Sequence, residues 1–454
     1  MNQSIVSRRP QGRGWLPTVA VGMLALCQGQ AWAGPSVTCR VEPMSSVLTA
    51  DSSETMMVKV SLKGAAAPAV NHRAPINLCL VIDRSGSMQG DRIARAKEAA
   101  IAAVERLTPE DIVSVVIFDQ QIETIVPAQS ARDKVSIVSA IRAVQSRGNT
   151  AIFGAMAQAA AEIRKNANRE YLNRVILLSD GQANVGPSQP IDFGRLGVSL
   201  MKESISVSTV GVGLDFNEDL MTSLSGKSDG NSYFVENSDD LPRIFSSELG
   251  TALNVAARRI SLRVDFAPGT TPLEIVGREG TINGAAVTLD FNQLYGGQEK
   301  YVLIRTAFSP GKADTTRQVA TANVKYTDAA TSRLEQLTST GSVRFSKDVN
   351  EVKHSVNIAV LREAELTEDA IATEKAIRLI DEGKSKEAAA VFEAQKKRLD
   401  SAVKDHPELD AVMAPRAALA VDNEGRASSG KFDARVRKNN VQRNYELQNQ
   451  QGER

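Results

Sequence analysis

Between residues 76 and 257, short apolar runs alternate with helical patterns, and this alternation limits the fold more than any other feature of the chain. The runs cover residues 76–82, 112–118, 175–178, 205–211 and 232–235, and each is shorter than a typical helix. Between the first two, residues 91–107 place Ile93, Ala100, Ile101, Val104 and Leu107 on one helical face. Strands separated by helices call for crossover connections, which predicts a parallel sheet covered on both faces.

The flanks read differently. After Arg258, runs at residues 260–266, 273–276, 286–291, 301–308, 318–326 and 342–345 are separated by turns rich in Pro, Gly, Asn and Asp, with no helices between them. That pattern predicts an antiparallel β-sandwich. Two early strand-like runs, residues 36–41 and 55–62, have no local partner and are expected to join that sandwich. The fold class predicted is therefore α/β, a doubly wound and mostly parallel sheet inserted into an antiparallel β-sandwich, followed by an α-helical C-terminal region. The corresponding boundaries are a leader at 1–33, strands and linker at 34–75, the α/β domain at 76–257, the β-sandwich at 258–349 and helices at 350–454. Gly383 divides a helical hairpin, and the polar end of the chain is expected to be flexible, either frayed or forming one exposed helix.

Residues 1–33 read as an export signal. Arg8, Arg9 and Arg13 precede an apolar stretch of about 13 residues, and Ala31-Trp32-Ala33 offers small residues for cleavage. The stretch falls short of the roughly 20 residues that span a bilayer. An exported protein, periplasmic or secreted and without a transmembrane segment, is expected. Removing the three leading arginines leaves 51 basic against 53 acidic residues, a balance that argues against nucleic acid as a partner. With three His and three Cys, a zinc or iron–sulfur site has too few soft ligands, so any metal should be a hard, oxygen-liganded ion. Export leaves Cys39 and Cys79, for which a bridge and two separate thiols are both open.

Three loops of the α/β segment carry oxygen donors. The first run ends in Asp83-Arg84-Ser85-Gly86-Ser87, where alternate residues can converge on one point. Gly148-Asn149-Thr150 supplies a hydroxyl before another helix, and Ser179-Asp180-Gly181 supplies a carboxylate directly after a strand. Each alone has an ordinary use as a helix cap or turn. Together they fall at the carboxyl edge of the sheet, where open α/β folds bind ligands. Two carboxylates and three hydroxyls suit an octahedral Mg²⁺ that keeps water and one exchangeable position, with Mn²⁺ or Ca²⁺ as alternatives.

These motifs resemble the metal-ion-dependent adhesion site of von Willebrand factor type A domains, and the likeness extends over about residues 76–257. The wider order is similar to bacterial exported relatives of inter-alpha-trypsin inhibitor heavy chains, sometimes called calcium-activated chloride channel homologues. The resemblance implies that Ser85 and Ser87 bind the metal directly, Thr150 directly or through water, and Asp83 and Asp180 directly or through waters they hold. It also implies a non-enzymatic adhesion or scaffold protein whose metal captures a Glu or Asp of a partner protein. Loops over residues 119–127 and 181–192 are expected to set specificity. The competing readings are a metal-dependent hydrolase and a structural envelope protein with a non-functional metal site.

Overall fold

The computed structural model of the chain describes residues 35–66, 74–167 and 171–451, so the leader expected at 1–33 lies outside the described residues. The described chain opens with β1 (Val37–Pro43), β2 (Val47–Thr49) and β3 (Glu54–Gly64). Val58, Val60 and Leu62 alternate along β3 into one core, as side chains on a pleated strand must.

The chain then runs through β4 (Ile76–Asp83), α1 (Asp91–Glu105), β5 (Ile112–Phe118), β6 (Ile122–Ser130), α2 (Lys134–Arg142) and α3 (Ile152–Arg164). It continues through β7 (Leu172–Ser179), α4 (Pro190–Lys202), β8 (Ile205–Val212), α5 (Glu218–Lys227), β9 (Ser232–Val235) and α6 (Leu241–Ala252). These strands form one sheet in the order β6-β5-β4-β7-β8-β9. All pairs are parallel except the edge pair β5–β6. Along β4, Ile76, Leu78, Leu80 and Ile82 enter a core shared with α1 and α6, while Cys79 and Val81 enter a second core shared with α3, α4 and α5. Because both faces are covered, the strand can be apolar throughout.

Chain order reverses at β4, which has β5 on one side and β7 on the other. The loops that follow β4 and β7 therefore face each other at the switch point, the usual ligand crevice of such sheets. This topology places Asp83 against Ser179, 96 residues later.

The chain returns through β10 (Val255–Phe266), β11 (Thr270–Val276), β12 (Thr281–Asn283), β13 (Ala286–Tyr295), β14 (Glu299–Phe308), β15 (Thr316–Asp328) and β16 (Leu334–Ser346). Two sheets result, β1-β3-β14-β11 and β12-β13-β10-β15-β16-β2, antiparallel apart from the short β16–β2 pair. The early strands thus find their partners after the α/β segment, which is an insertion into the sandwich. At the junction, Arg174 of β7 pairs with Glu248 of α6 at 3.0 Å, and Tyr295 of β13 closes the network by hydrogen-bonding the same guanidinium.

Among the described residues, five α-helices follow: α7 (Val349–His354), α8 (Ile358–Asp381), α9 (Ser385–Asp405), α10 (Asp410–Ser429) and α11 (Ala434–Gln448). The polar end of the chain, expected to fray or to form one exposed helix, forms the helix α11, several of whose polar residues are buried. Lys438 donates to the Phe216 carbonyl at 2.6 Å and pairs with Glu218, and the Tyr445 hydroxyl donates to the Gly230 carbonyl at 2.9 Å. The polar groups of α11 are buried because α5, β9 and the loop before α5 supply their partners. Cys39 and Cys79 are separate thiols belonging to different cores, and burial pushes each up to about 12.

Candidate metal centre

Asp83 is the last residue of β4, and its carboxylate organises the loop that follows. The Ser85 amide donates to Asp83 Oδ1 at 2.7 Å, and the Ser179 hydroxyl donates to Oδ2 at 2.5 Å. The loop tightens into one 3-10 turn over Gly86–Met88 before α1 begins. A backbone bond from Gly86 N to Gly148 O, 2.9 Å, ties this loop to the one that carries Thr150.

The hydroxyls of Ser85 and Ser87 stand 3.0 Å apart, and Ser87 Oγ donates to Asp180 Oδ1 at 2.7 Å. Thr150 is fixed through its backbone: its amide donates to Asn184 Oδ1 at 2.8 Å, and its carbonyl accepts from the amides of Asn184 and Val185. A Cβ at position 181 would come within 2.9 Å of Thr150 Oγ1, so Gly181 lets the Asp180 turn close onto that hydroxyl. The five residues singled out from sequence, Asp83, Ser85, Ser87, Thr150 and Asp180, are thus brought to one sheet edge. Asp83 and Asp180 are fully buried, Ser85 and Thr150 are nearly so, and Ser87 is exposed at the mouth.

Burial pushes the Asp83 carboxyl up to about 6, against the opposing hydrogen bonds from Ser179 and Ser85 and with a small contribution from the Asp180 charge. Its stabilising partners are hydroxyls and an amide rather than a cation, which leaves a buried charge only partly compensated. Asp180 does have a cationic neighbour, Arg92 of α1, whose Nη1 lies 2.5 Å from Oδ2.

Several contributors were not foreseen from sequence. Ser179 holds Asp83, Asn184 holds Thr150, and Arg92 meets Asp180. Ser179 lay inside a quoted motif and Arg92 in the first turn of the following helix, but only the fold shows what they touch. A second polar knot braces the rim: Asp119 Oδ2 accepts from Arg84 Nε at 3.0 Å and from Arg147 Nε at 2.8 Å. The expected specificity loop at 119–127 is mostly β6, an edge strand that begins at Ile122.

The sequence profile of the von Willebrand factor type A domain matches residues 77–247. With the strand order and both cores in place, that match decides the family of the inserted segment. Residues 77–247 are a von Willebrand factor type A domain. The solved structure of a von Willebrand factor type A protein from Catenulispora acidiphila is similar in fold over 82% of this chain and 88% of its own, with a TM-score of 0.66 at 17% identity. In sequence, the chain is 25% identical over 274 residues to the uncharacterized protein YfbK of Escherichia coli, covering 55% of this chain and 48% of that protein. It is 26% identical over 272 residues to human inter-alpha-trypsin inhibitor heavy chain H2, covering 58% of this chain and 27% of the heavy chain. The chain spans about half or less of the length of these curated relatives. Among the described residues of this A-domain protein, no helix is long and apolar enough to cross a membrane.

Proposed function

We propose that the cup at the edge of the A domain is a complete adhesion-type metal site that holds one Mg²⁺ and captures an acidic side chain of a partner protein. The observation that carries this reading is the 3.0 Å separation of the Ser85 and Ser87 hydroxyls above two buried carboxylates. Neighbouring ligands of an octahedral ion at 2.0–2.1 Å stand about 3.0 Å apart, whereas the longer bonds of Ca²⁺ separate them by about 3.4 Å. The 3.0 Å separation, which is also that of a hydrogen bond between the two hydroxyls, is compatible with adjacent ligands of a small ion such as Mg²⁺.

Ser85 and Ser87 would bind through their hydroxyls, with Ser87 still able to donate its proton to Asp180. Thr150 would contribute directly or through water, and Asp83 and Asp180 directly or through held waters. A bound divalent ion would supply a Lewis-acid position for an incoming carboxylate oxygen. The chain's own part is to exclude bulk water below the ion, hold the donors on rigid strand ends and leave Ser87 exposed at the opening. Most of the binding energy would come from the protein surface around the metal, since one carboxylate–metal contact does not make an interface.

This reading makes the protein an exported, non-enzymatic adhesion or scaffold component, periplasmic or secreted. The kinship with inter-alpha-trypsin inhibitor heavy chains and the A-domain fold support a binding role. The hydrolase alternative has less support, because the two histidines among the described residues, His354 and His406, belong to the C-terminal helical region rather than to the A domain.

The test is capture from an envelope extract on the immobilised chain in Mg²⁺, in EDTA, and with Asp83→Ala in Mg²⁺. The expected result is a protein retained in the first condition alone, whose binding is lost when one of its Asp or Glu residues is neutralised. Equal retention in all three conditions contradicts the proposal.

A further inference from the structure

Arg92 occupies the first turn of α1, directly beside the cup. Its Nη1 lies 2.5 Å from Asp180 Oδ2, and its Nη2 lies 3.8 Å from Asp215 Oδ2 on the neighbouring loop. Asp180 is fully buried, the Arg92 side chain is one-third exposed, and Asp215 is largely exposed. Both oxygens of Asp180 are engaged, Oδ1 by the Ser87 hydroxyl and Oδ2 by the guanidinium.

We propose that Arg92 is a built-in competitor for the divalent cation, which loads the cup by displacing the guanidinium from Asp180 toward Asp215. The inference rests on the reading of the cup as a divalent-ion site and adds what sets its affinity.

The first argument is charge. Asp83 and Asp180 together present two negative charges, and Arg92 returns one of them, so an arriving ion meets half the net attraction it otherwise would. The second is acceptor capacity. An ion, or a water bound to it, needs a lone pair on Asp180, and the guanidinium occupies the oxygen that Ser87 leaves free. Arginine stays charged at any physiological pH, so protonation change does not release the contact, and a competing cation does. The third is a place to go. Asp215 is already near Nη2, and its main-chain carbonyl accepts from Gln182 Nε2 at 2.5 Å, so the backbone that carries a second carboxylate is anchored at the rim. Gly213 (φ +74°) lies alongside, and a Cβ there would meet Arg92 Nη2 at 3.0 Å; a larger residue would crowd the guanidinium between its two positions. The consequence is a site that loads at a higher divalent concentration than its donor set alone would require.

The test is calorimetric titration of the full chain with Mn²⁺ at fixed ionic strength, for wild type, Arg92→Gln, Arg92→Lys and Asp215→Asn. Arg92→Gln should tighten Mn²⁺ binding about tenfold, the scale of a guanidinium–carboxylate contact with one buried partner. Arg92→Lys, which keeps the charge and loses the fork, should fall between it and wild type, and it carries the test if the Gln variant does not fold. Asp215→Asn should weaken binding about two- to fivefold by removing the second dock. Binding by Arg92→Gln alone would support the competitor in its strongest form. Equal or weaker binding by Arg92→Gln, with wild type binding Mn²⁺, overturns the competitor and leaves the metal site standing. Absence of binding in every variant overturns both.

Discussion

Replacing Glu248 by Ala should destabilise the protein by about 3–5 kcal/mol, because it strands the Arg174 guanidinium in the interior without a counter-charge. Both side chains are almost solvent-free and pair at 3.0 Å. Glu248 also accepts from Asn231 at 2.7 Å, Tyr233 at 2.6 Å and Ser208 at 2.5 Å, so its loss leaves further donors unsatisfied. The network joins β7, β9 and α6 of the A domain to Tyr295 of the sandwich, so the loss should register in urea unfolding of the whole chain. Arg174→Ala should cost a similar amount. The double variant should lose less than the sum, since the second change removes the charge that the first left unpaired. For contrast, Lys397→Ala breaks an exposed pair with Glu393 on α9 and should change stability by no more than about 0.5 kcal/mol. A loss below about 1 kcal/mol for Glu248→Ala would show that the network is not the joint it looks to be.

The same network predicts acid sensitivity. Burial alone would raise the Glu248 carboxyl, but Arg174, then Asn231, Ser208 and Tyr233, outweigh it and hold the group below its ordinary value of 4.5. A group depressed in the fold stabilises above its unfolded pKa, and that contribution fades as pH falls through the folded one. The loss should therefore begin below about pH 4.5 and be absent in Glu248→Gln.

Divalent ions should stabilise the protein by mass action, and the two carboxylates of the cup should be required for it. At a Mg²⁺ concentration one hundred times Kd, the folded state should gain about 2.7 kcal/mol relative to EDTA. The gain arises because the five donors converge only when the loops after β4 and β7 and the loop before α3 are in place. Asp83→Ala and Asp180→Ala should each abolish it, measured as the difference in thermal or urea unfolding with Mg²⁺ and with EDTA. An unchanged difference in both variants would place any bound ion elsewhere.

Much of the fold was legible because strands buried on both faces are apolar almost throughout, as in Ile76-Asn77-Leu78-Cys79-Leu80-Val81-Ile82, where Asn77 alone is polar and donates to the Ile163 carbonyl, while sandwich strands are bounded by turn residues. The candidate donors were legible because chemistry fixes their residue types and strand ends fix their positions. What escaped was decided by contacts across the fold. Strand β6 carries Pro127 at an irregular stretch of the β5–β6 pairing, and an edge strand tolerates a proline that a central one would not. Helix α11 looked like a solvated tail because hydropathy counts Lys438, Asn440 and Asn444 as polar, yet all three are buried. Lys438 is satisfied by Phe216 and Glu218, and Asn440 by Asn423. Arg92 belongs to no motif of the sequence, and only the approach of the Asp180 loop to α1 gives it a role at the cup.

The central claim is that Asp83, Ser85, Ser87, Thr150 and Asp180 hold one divalent ion at the A-domain edge. The most direct measurement is the number of Mn²⁺ ions bound per chain, read by electron paramagnetic resonance, in wild type and in Asp83→Ala. One ion in the wild type and none in the variant is the predicted result. Equal occupancy in the two proteins, or none in either as the Mn²⁺ concentration is raised, would contradict it.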